Sequence, residues 1–286
     1  MRIAKIEVNP EMVNTEPNNG LHWRTRFDFA LSENGKAGLY SSKTKKVIEI
    51  DKCLIALKDI NNSEIFSKKW NGSDRIRIAV SSSKQLNISR GKRTIDGPKK
   101  IREEVDDNVY NISPQSFWQS HTNAPSLLSN LAIDLMKLIP GDIVCDLYGG
   151  VGLFTMPITK KIGNEGHVHL VEISNHSARD AFKIFKDYNN VSIHRGSVDR
   201  KLPKINNIDI IVLDPPRSGA GKKVIGQIIS KKPRAVVYIS CDPASLARDA
   251  KFLYDSGYKL DKIKAVDLFP MTHHIECIVR FIPSTN

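Results

Sequence analysis

The chain has 286 residues, 40% of them hydrophobic, which is enough for one large domain or two modest domains with their own cores. Its formal net charge of +12 favours a polyanionic partner, because Lys and Arg displace the counterions of phosphates. The longest apolar runs are of strand length, which excludes a transmembrane helix, and residues 1–10 contain no secretory signal.

The four cysteines indicate a reducing compartment. Cys53, Cys145, Cys241 and Cys277 form no C-x-x-C pair, so neither a zinc site nor a disulfide framework is indicated. Free thiols are typical of cytosolic proteins. We therefore expect a cytoplasmic monomer that has RNA as its partner, no membrane association and no bound metal.

The first part of the chain, residues 1–111, is predicted to be a smaller β-rich domain that recognises RNA. Apolar and polar residues alternate in the first predicted strand, and Asn34-Gly35 is a hairpin signal. Arg24 and Arg26 lie on the outward face of that first strand, where a solvated surface and an RNA contact explain them equally well. The predicted strands are 23–29, 39–40 and 47–50.

Residues 81–100 are polar, basic and contain glycine, as in Arg90-Gly91-Lys92-Arg93. We predict a mobile loop or linker close to nucleic acid. A solvated loop without a partner is the alternative.

In the second part, residues 112–286, short apolar runs alternate with helical segments from about Pro140 onward. This alternation predicts a parallel sheet with helices on both faces. Two final runs have no helix of usual length between them and are predicted to pair antiparallel. The fold class is thus α/β, and by analogy of fold this sheet with its C-terminal antiparallel hairpin resembles that of the class I (Rossmann-like) methyltransferases. The predicted strands are 143–147, 167–173, 191–194, 208–213, 235–239, 260–266 and 275–282, with helices at 177–188 and 244–254.

A glycine-rich turn, residues 146–152 (DLYGGVG), follows the first of these strands and leads into a helix. Glycines such as Gly149 permit a tight turn and close approach of a ligand to the helix N-terminus. The leading acidic residue and the glycine spacing differ from the dinucleotide fingerprint. We therefore favour S-adenosylmethionine over a nicotinamide cofactor.

Carboxylates follow the next strands in order. Glu172 could accept the ribose hydroxyls of a nucleoside, and Asp199 could reach the adenine amino group. Asp214 completes the series. Ligands of open α/β sheets bind outside the carboxyl ends of the strands, which is where these three side chains are predicted to lie.

Asp214-Pro215-Pro216-Arg217 ends the fourth strand of this sheet. Amino-group methyltransferases carry an aromatic residue where Arg217 stands, which argues against methylation of an exocyclic amine. Cytosine-5 RNA enzymes carry a cysteine shortly after the aspartate, and this chain has none there. We expect Arg217 to contact the substrate.

Cys241 ends the fifth strand and precedes a helix. A helix N-terminus favours a thiolate, so Cys241 is a candidate nucleophile. A buried structural cysteine is the alternative reading, and it fits Cys145 and Cys277 better. A thiolate suits methylation of carbon 5 of uracil, because attack on carbon 6 makes carbon 5 nucleophilic and a base then removes its proton.

The motifs of the chain resemble those of the bacterial RNA uracil-5-methyltransferases, the family that holds the tRNA and large-subunit rRNA enzymes. The matching segments are 23–27 (WRTRF), 47–53 (VIEIDKC), 116–121 (SFWQSH), 146–152, 214–219 (DPPRSG), 238–249 (YISCDPASLARD) and 267–276 (DLFPMTHHIE). The resemblance implies Cys241 as nucleophile and Glu276 as base. It also implies that Phe117 stacks near the flipped base and that the cofactor contacts Gln119, Tyr148, Glu172, Asp199 and Asp214.

The chain departs from the family pattern in several places. Leu153 stands where several members have asparagine, and Met271 replaces a usual His, Gln or Tyr. Many members begin with a small RNA-binding β-barrel, and this chain resembles a short form without it. Cys53 matches the last cysteine of an iron–sulfur cluster found in some members, but the earlier ones are absent, so no cluster is expected.

The sequence thus predicts an S-adenosylmethionine-dependent enzyme that methylates carbon 5 of a uridine, with 23S rRNA favoured as its target. A tRNA uridine-5 methyltransferase is one alternative. Another is an RNA-binding or assembly protein with weak catalysis, against which Cys241 and Glu276 weigh. Cytosine-5 methylation is opposed by Glu276 and by the missing second cysteine.

Overall fold

The computed structural model describes residues 8–15, 20–72 and 75–284. The chain divides into two compact units: an N-terminal unit, Pro17–Thr122, and a C-terminal unit that combines Met1–Glu16 with Asn123–Asn286. The strands of the described residues are β1 Glu11–Val13, β2 Arg26–Leu31, β3 Ala37–Tyr40, β4 Val47–Glu49, β5 Ile76–Val80, β6 Leu86–Arg90, β7 Arg93–Asp96, β8 Ile101–Val105, β9 Asn108–Ile112, β10 Ile143–Leu147, β11 His167–Glu172, β12 Val191–Arg195, β13 Ile210–Leu213, β14 Ala235–Ser240, β15 Tyr258–Val266 and β16 Glu276–Pro283. The α-helices are α1 Lys58–Asn61, α2 Ala124–Met136, α3 Thr155–Ile162, α4 Asn175–Ile184, α5 Val198–Lys201, α6 Gly221–Ser230 and α7 Pro243–Tyr254.

A single sheet forms the centre of the described C-terminal unit, in the order β1-β15-β16-β14-β13-β10-β11-β12. Strands β10 to β14 pair in parallel with one another. Strand β16 runs antiparallel to both β14 and β15. The predicted α/β fold, a parallel sheet with a C-terminal antiparallel hairpin, is confirmed.

The central strands are apolar because they are covered on both faces. Strands β13 and β14 are buried at every position. Such continuous apolar runs are typical of parallel strands between two layers of helices. On one face, Ile225 and Ile228 of α6 and Leu246 and Leu253 of α7 join Tyr238 of β14 in one hydrophobic cluster. None of the helices in the described residues is long and apolar enough to cross a membrane.

The N-terminal unit is β-rich, as predicted. Its larger sheet has the order β4-β3-β2-β5-β6-β7, with antiparallel pairing throughout, and β8 pairs with β9 in a separate hairpin. Alternating apolar residues of β2 and β5 face the core, including Phe27, Phe29, Ile76 and Ile78, together with Trp70. The period-2 pattern produces this half-buried sheet because successive side chains point to opposite faces.

The two units do not coincide with the division expected after residue 111. That position lies within β9, which pairs with β8. In addition, Glu11–Val13 pairs in parallel with Lys264–Val266 of β15 and so belongs to the C-terminal sheet. A strand of three residues is too short to show a sequence pattern that would predict its pairing with a strand some 250 residues away in the chain.

The prediction of a mobile loop over residues 81–100 is wrong, because the segment contains β6 and β7. Ile88 is fully buried, and so are the polar neighbours Asn87 and Ser89. A register shift between Ile88 and Ser89 interrupts the alternation of the strand. Buried polar residues and this irregularity together hid the strand pattern in the sequence.

Arg26 does not lie on an outward face. Only 9% of its surface is exposed, and its Nη2 lies 2.6 Å from Glu103 Oε1. The other oxygen of Glu103 accepts the Ser82 backbone N–H at 2.9 Å. Phe27 and Phe29 of the same strand face the core, as the alternation predicted. Arg26 is buried nonetheless, because it pairs with Glu103 of β8, and the sequence of β2 alone does not show that contact.

The Arg26–Glu103 pair predicts a large effect on the stability of the N-terminal unit. Arg26→Met should lower the free energy of unfolding by about 3–5 kcal/mol, because it leaves a buried carboxylate without its counter-charge. Arg26→Met combined with Glu103→Leu should recover most of this loss, apart from the contribution of the Ser82 hydrogen bond. Urea unfolding measures both effects.

The half-exposed pair Asp28–Arg77, 2.6 Å apart, provides the control. Asp28→Asn should cost no more than about 1 kcal/mol, as is usual for exposed ion pairs. If Arg26→Met and Asp28→Asn lowered the free energy of unfolding equally, the buried pair would contribute no more to stability than the half-exposed pair.

Candidate active site

The turn between β10 and α3 requires glycine at two positions. Gly152 has a φ of +96°, and a Cβ there would lie 2.3 Å from the Phe185 ring. A Cβ on Gly149 would lie 2.7 Å from the Leu170 side chain. The backbone therefore packs directly against neighbouring side chains, and the turn stays tight as the sequence predicted.

Glu172 fixes this turn at the end of β11. Its Oε2 accepts the Gly150 N–H at 2.9 Å, and its Oε1 accepts the Ser174 N–H. The side chain is 8% exposed. The carboxylate thus lies at the strand end where it was predicted, and it ties the glycine turn to the loop that begins α4.

Asp146, the first residue of the turn motif, is completely buried. Its Oδ2 accepts the Thr155 hydroxyl at 2.7 Å, whereas Oδ1 has no hydrogen-bond partner among the described residues. Burial raises the pKa of Asp146 to about 7; nearby Asp214 and Glu172 add to the rise, and the Thr155 hydroxyl opposes it. This end of the sheet therefore concentrates carboxyl groups away from water.

Cys241 and Glu276 meet at the carboxyl end of β14. Ser240 pairs with Cys277 in the antiparallel register, which brings Cys241, the residue after β14, close to Glu276, the first residue of β16, so that the charge of Glu276 acts on the thiol. Asp214 follows the adjacent strand β13, and its charge acts on both groups. The structure therefore brings together the two predicted catalytic residues and one predicted cofactor residue.

Both catalytic candidates have raised pKa values. Burial, followed by the charges of Glu276 and Asp214, raises the pKa of the Cys241 thiol, and Arg217 opposes this. Burial and Asp214 raise the pKa of Glu276 well above its usual range. Glu276 is 3% exposed, and its Oε1 has no hydrogen-bond partner among the described residues.

The direction of this shift runs against the expectation that the helix dipole favours a Cys241 thiolate, because burial and the charges of Glu276 and Asp214 raise the pKa of the thiol. The N-cap of α7 is Asp242, whose carboxylate accepts the Ser245 N–H at 2.6 Å. This carboxylate occupies the helix N-terminus, and the other nearby carboxyl groups disfavour a second negative charge.

Asp249 of α7 is a residue that sequence reasoning missed. It is fully buried, and its Oδ2 accepts the Tyr238 hydroxyl at 2.8 Å and the Ala220 and Gly221 N–H groups at 2.7 and 3.1 Å. It thereby holds the end of the loop that starts at Asp214 and ties it to the helix that follows Cys241. An acidic residue on the apolar face of a helix was the signal that could have identified it.

Asp199 is partly exposed and Arg217 is exposed. Asp199 is in α5, after β12, and forms an ion pair with Lys223 at 2.8 Å, which lowers the pKa of Asp199. Arg217 is exposed, and its Nη2 lies 3.2 Å from His274 Nε2. The loop after β13 therefore contacts the loop that precedes Glu276.

Four predicted site residues belong to the N-terminal unit. Phe117 is 63% exposed, whereas Gln119 is half-buried. Arg24 stacks its guanidinium 4.8 Å above the Phe27 ring, and Arg26 forms the buried ion pair. Their contacts with cofactor or RNA stay predictions.

The sheet is parallel except for its antiparallel last strand, a glycine turn follows β10, and carboxylates follow the next strands. This combination defines the class of S-adenosylmethionine-dependent methyltransferases. The model of the tRNA (uracil-5-)-methyltransferase family matches residues 67–282, most of the chain. The chain therefore belongs to this family of RNA-modifying enzymes. Within the described residues, no group of three or more His, Cys, Asp and Glu is arranged to hold a metal ion.

Similar proteins support this assignment. An uncharacterized RNA methyltransferase of Streptomyces avermitilis is 34% identical over 92% of this chain and 68% of its own length. One of Streptomyces coelicolor is 31% identical over 92% of this chain and 64% of its own length. The chain thus spans about two thirds of the length of these relatives.

A solved structure shares the fold. The tRNA (uracil-54, C5)-methyltransferase of Pyrococcus abyssi, in complex with S-adenosyl-L-homocysteine, superposes with a TM-score of 0.75. It is 23% identical to this chain and is matched over 98% of this chain and 80% of its own. The predicted family and the predicted fold class are confirmed. The prediction of a methyltransferase that uses S-adenosylmethionine is confirmed through membership in this family.

Asp146 predicts how stability changes with pH. Its pKa is higher in the folded protein than in the unfolded chain, so the contribution of Asp146 to stability is present below about pH 4 and is lost as the pH rises through about 7. In the wild type, ionisation of Asp146 should lower the free energy of unfolding by up to roughly 4 kcal/mol between these two pH values. Asp146→Asn should abolish this pH-dependent loss. Urea unfolding at about pH 5 and about pH 8 measures the difference.

The exposed Asp187→Asn serves as the control for removal of one carboxyl group. It should keep the pH dependence of the wild type. If Asp146→Asn also kept that dependence, the Asp146 carboxyl would not be the buried titrating group.

Proposed function

We propose that this chain methylates carbon 5 of a uridine in RNA through a covalent intermediate on Cys241. The observation that carries the proposal is the register of β14 and β16, which places Cys241 and Glu276 together beside Asp214. A thiol next to a buried carboxyl group combines a nucleophile and a base at one strand end, as the reaction requires.

The turn after β10 fits S-adenosylmethionine. No atom lies within 4 Å of the position that a Cβ on Gly150 would occupy, so a ligand can approach the backbone there. The Asp146 Oδ1 atom without a partner and the Glu172 carboxylate suit the polar groups of a nucleoside. When bound, the cofactor supplies an electrophilic methyl group. The residues assigned to it are Gln119, Tyr148, Gly149, Glu172, Asp199 and Asp214.

Cys241 activates a carbon that is otherwise a weak nucleophile. Addition of its thiolate to carbon 6 of uracil breaks the 5,6 double bond and leaves an enolate, so carbon 5 gains the electron pair that takes up the methyl group. Glu276 then removes the proton from carbon 5. The electrons of that C–H bond restore the double bond as the thiolate leaves.

The β-rich N-terminal unit is assigned to RNA recognition. The target base has to leave its stack to reach Cys241, and an exposed aromatic residue such as Phe117 stabilises a flipped base by stacking. Arg24 and Arg217 are assigned to the substrate as well. The resemblance favours 23S rRNA over tRNA, and mapping of 5-methyluridine in RNA from cells with and without the gene distinguishes the two.

The raised pKa values predict that formation of free 5-methyluridine, which requires both the attack by Cys241 and the later proton removal by Glu276, becomes faster with increasing pH. Cys241 has to lose its proton to attack, and Glu276 has to be ionised to accept one, and the pKa of each group lies above its usual range. Single-turnover rates at saturating RNA and S-adenosylmethionine should rise between about pH 6 and about pH 9. A rate that is constant over this range would contradict the assignment of both groups.

The two catalytic roles predict different failures of two variants. Cys241→Ala should abolish turnover and any protein–RNA adduct. Glu276→Gln should accumulate the adduct, because the methylated intermediate keeps its proton and the thiol is not eliminated. RNA that contains 5-fluorouridine should trap the wild type, because fluorine does not leave as a cation. A denaturing gel detects the adduct, and mass spectrometry locates it.

Cys277→Ala, at the neighbouring position on β16, is the matched control and should form the adduct with 5-fluorouridine RNA like the wild type. An adduct on Cys277 would preserve the chemistry but contradict the assignment of Cys241. RNA binding without methylation or adduct in the wild type would favour the alternative, an RNA-binding or assembly protein.

A further inference from the structure

A cationic cleft of about 570 Å³ lies in the N-terminal unit, and no assigned function uses it. Four of the ten lining residues are Lys or Arg. The cleft is bounded on one side by the β6–β7 hairpin and on the other by the segment that follows α1. Its cationic lining residues are Lys68, Lys69, Arg90 and Arg93.

The hairpin brings like charges together. Arg90 and Arg93 are direct cross-strand partners, and Gly91 and Lys92 form the turn between them. Three of four consecutive residues are therefore cationic at the tip of one hairpin. Like charges directly opposite each other on neighbouring strands are destabilising, so this arrangement lowers the stability of the hairpin unless an anion lies between them.

The facing wall is rigid and also cationic. Trp70 is 6% exposed and donates its Nε1–H to the Ile65 carbonyl at 2.9 Å, which fixes the floor of the cleft. The Lys68 ammonium lies 5.1 Å above the Trp70 ring and is paired with Glu64 at 3.0 Å, whereas Lys69 next to it is exposed. The two lysines thus project from an ordered base.

Arg90 is held at the rim by the backbone of this wall. Its Nη1 donates to the Asn71 carbonyl. Gly72 leaves room for the guanidinium, because a Cβ at Gly72 would overlap it. Arg90 therefore joins the two walls, while Lys69, Lys92 and Arg93 are exposed side chains that can turn toward a ligand.

We propose that this cationic cleft binds the sugar–phosphate backbone of the RNA substrate. The inference rests on the proposed function, because it takes the partner to be RNA. A row of phosphates neutralises Lys69 on one wall and the cations of the hairpin on the other, and counterion release makes the contact favourable. Ile95, 43% exposed, offers apolar surface to a ribose or a base beside them. The cleft adds affinity for RNA and has no part in the chemistry at Cys241.

The test compares two double variants of equal charge. Lys69→Gln with Arg93→Gln removes two cations of the cleft, and Lys160→Gln with Lys161→Gln removes two exposed cations at the end of α3. Affinity for a substrate-length RNA is measured by fluorescence anisotropy over a range of salt concentrations. The cleft variant should bind about tenfold more weakly at low salt, and the slope of log affinity against log salt should fall by about 1.4, or about 0.7 for each lost phosphate contact. The α3 variant should change much less.

An equal loss of affinity and slope in both variants would overturn the proposal, since net charge alone would then explain binding. Lys92→Gln with Arg93→Gln provides a second cleft variant, and unchanged affinity in both cleft variants would also overturn it. Displacement of the RNA by poly-aspartate of equal charge would show a site for any polyanion and would contradict recognition of a phosphate backbone.

Methylation assays on the same proteins separate the two proposals. If the cleft binds RNA, the KM for RNA should rise in the cleft variants by more than kcat falls. If the wild type binds RNA through the cleft but never methylates it, the proposed function fails while the cleft assignment stands. If the wild type methylates RNA and the cleft variants keep its KM, only the cleft assignment fails.

Discussion

The antiparallel pairing of β16 with β14 is the constraint on which the candidate active site depends. In a purely parallel sheet, the residue after each strand would be the only side chain available at the carboxyl end. Because β16 enters the sheet in the opposite direction, its first residue, Glu276, lies beside Cys241 at the end of β14. The parallel pairing of β13 with β14 places Asp214, after β13, within electrostatic reach of both groups.

Burial at this end of the sheet has an electrostatic cost that the surrounding structure offsets. Asp146 and Glu276 are buried carboxyl groups, and burial raises the pKa of both, with a further rise from the charge of the partly buried Asp214. Glu172 and Asp249 act differently, because each accepts backbone N–H groups. Glu172 fixes the turn after β10, and Asp249 fixes the loop after β13. Carboxylates that accept backbone N–H groups therefore fix the turn after β10 and the loop after β13, an arrangement found where function is favoured over stability.

The N-terminal unit separates its charges in a related way. Arg26 is neutralised inside the unit by Glu103, whereas the cations of the β6–β7 hairpin are clustered at its surface. A buried charge has to be paired, but an exposed one can remain available to a partner. The sequence alone showed that the segment of Arg26 and the β6–β7 hairpin are basic. It did not distinguish Arg26, which is buried, from the arginines that are exposed to solvent.

The sequence by itself determined the α/β class, most strands of the C-terminal unit and the glycine turn, because hydrophobic period and turn chemistry are local properties. It also pointed to Cys241 and Glu276 through the resemblance of their motifs. Only the tertiary structure decided which groups become buried together. The β1–β15 pairing, the role of Asp249 and the raised pKa of Cys241 each depend on residues far apart in the chain. Desolvation and strand register arise from that packing, and no local pattern encodes them.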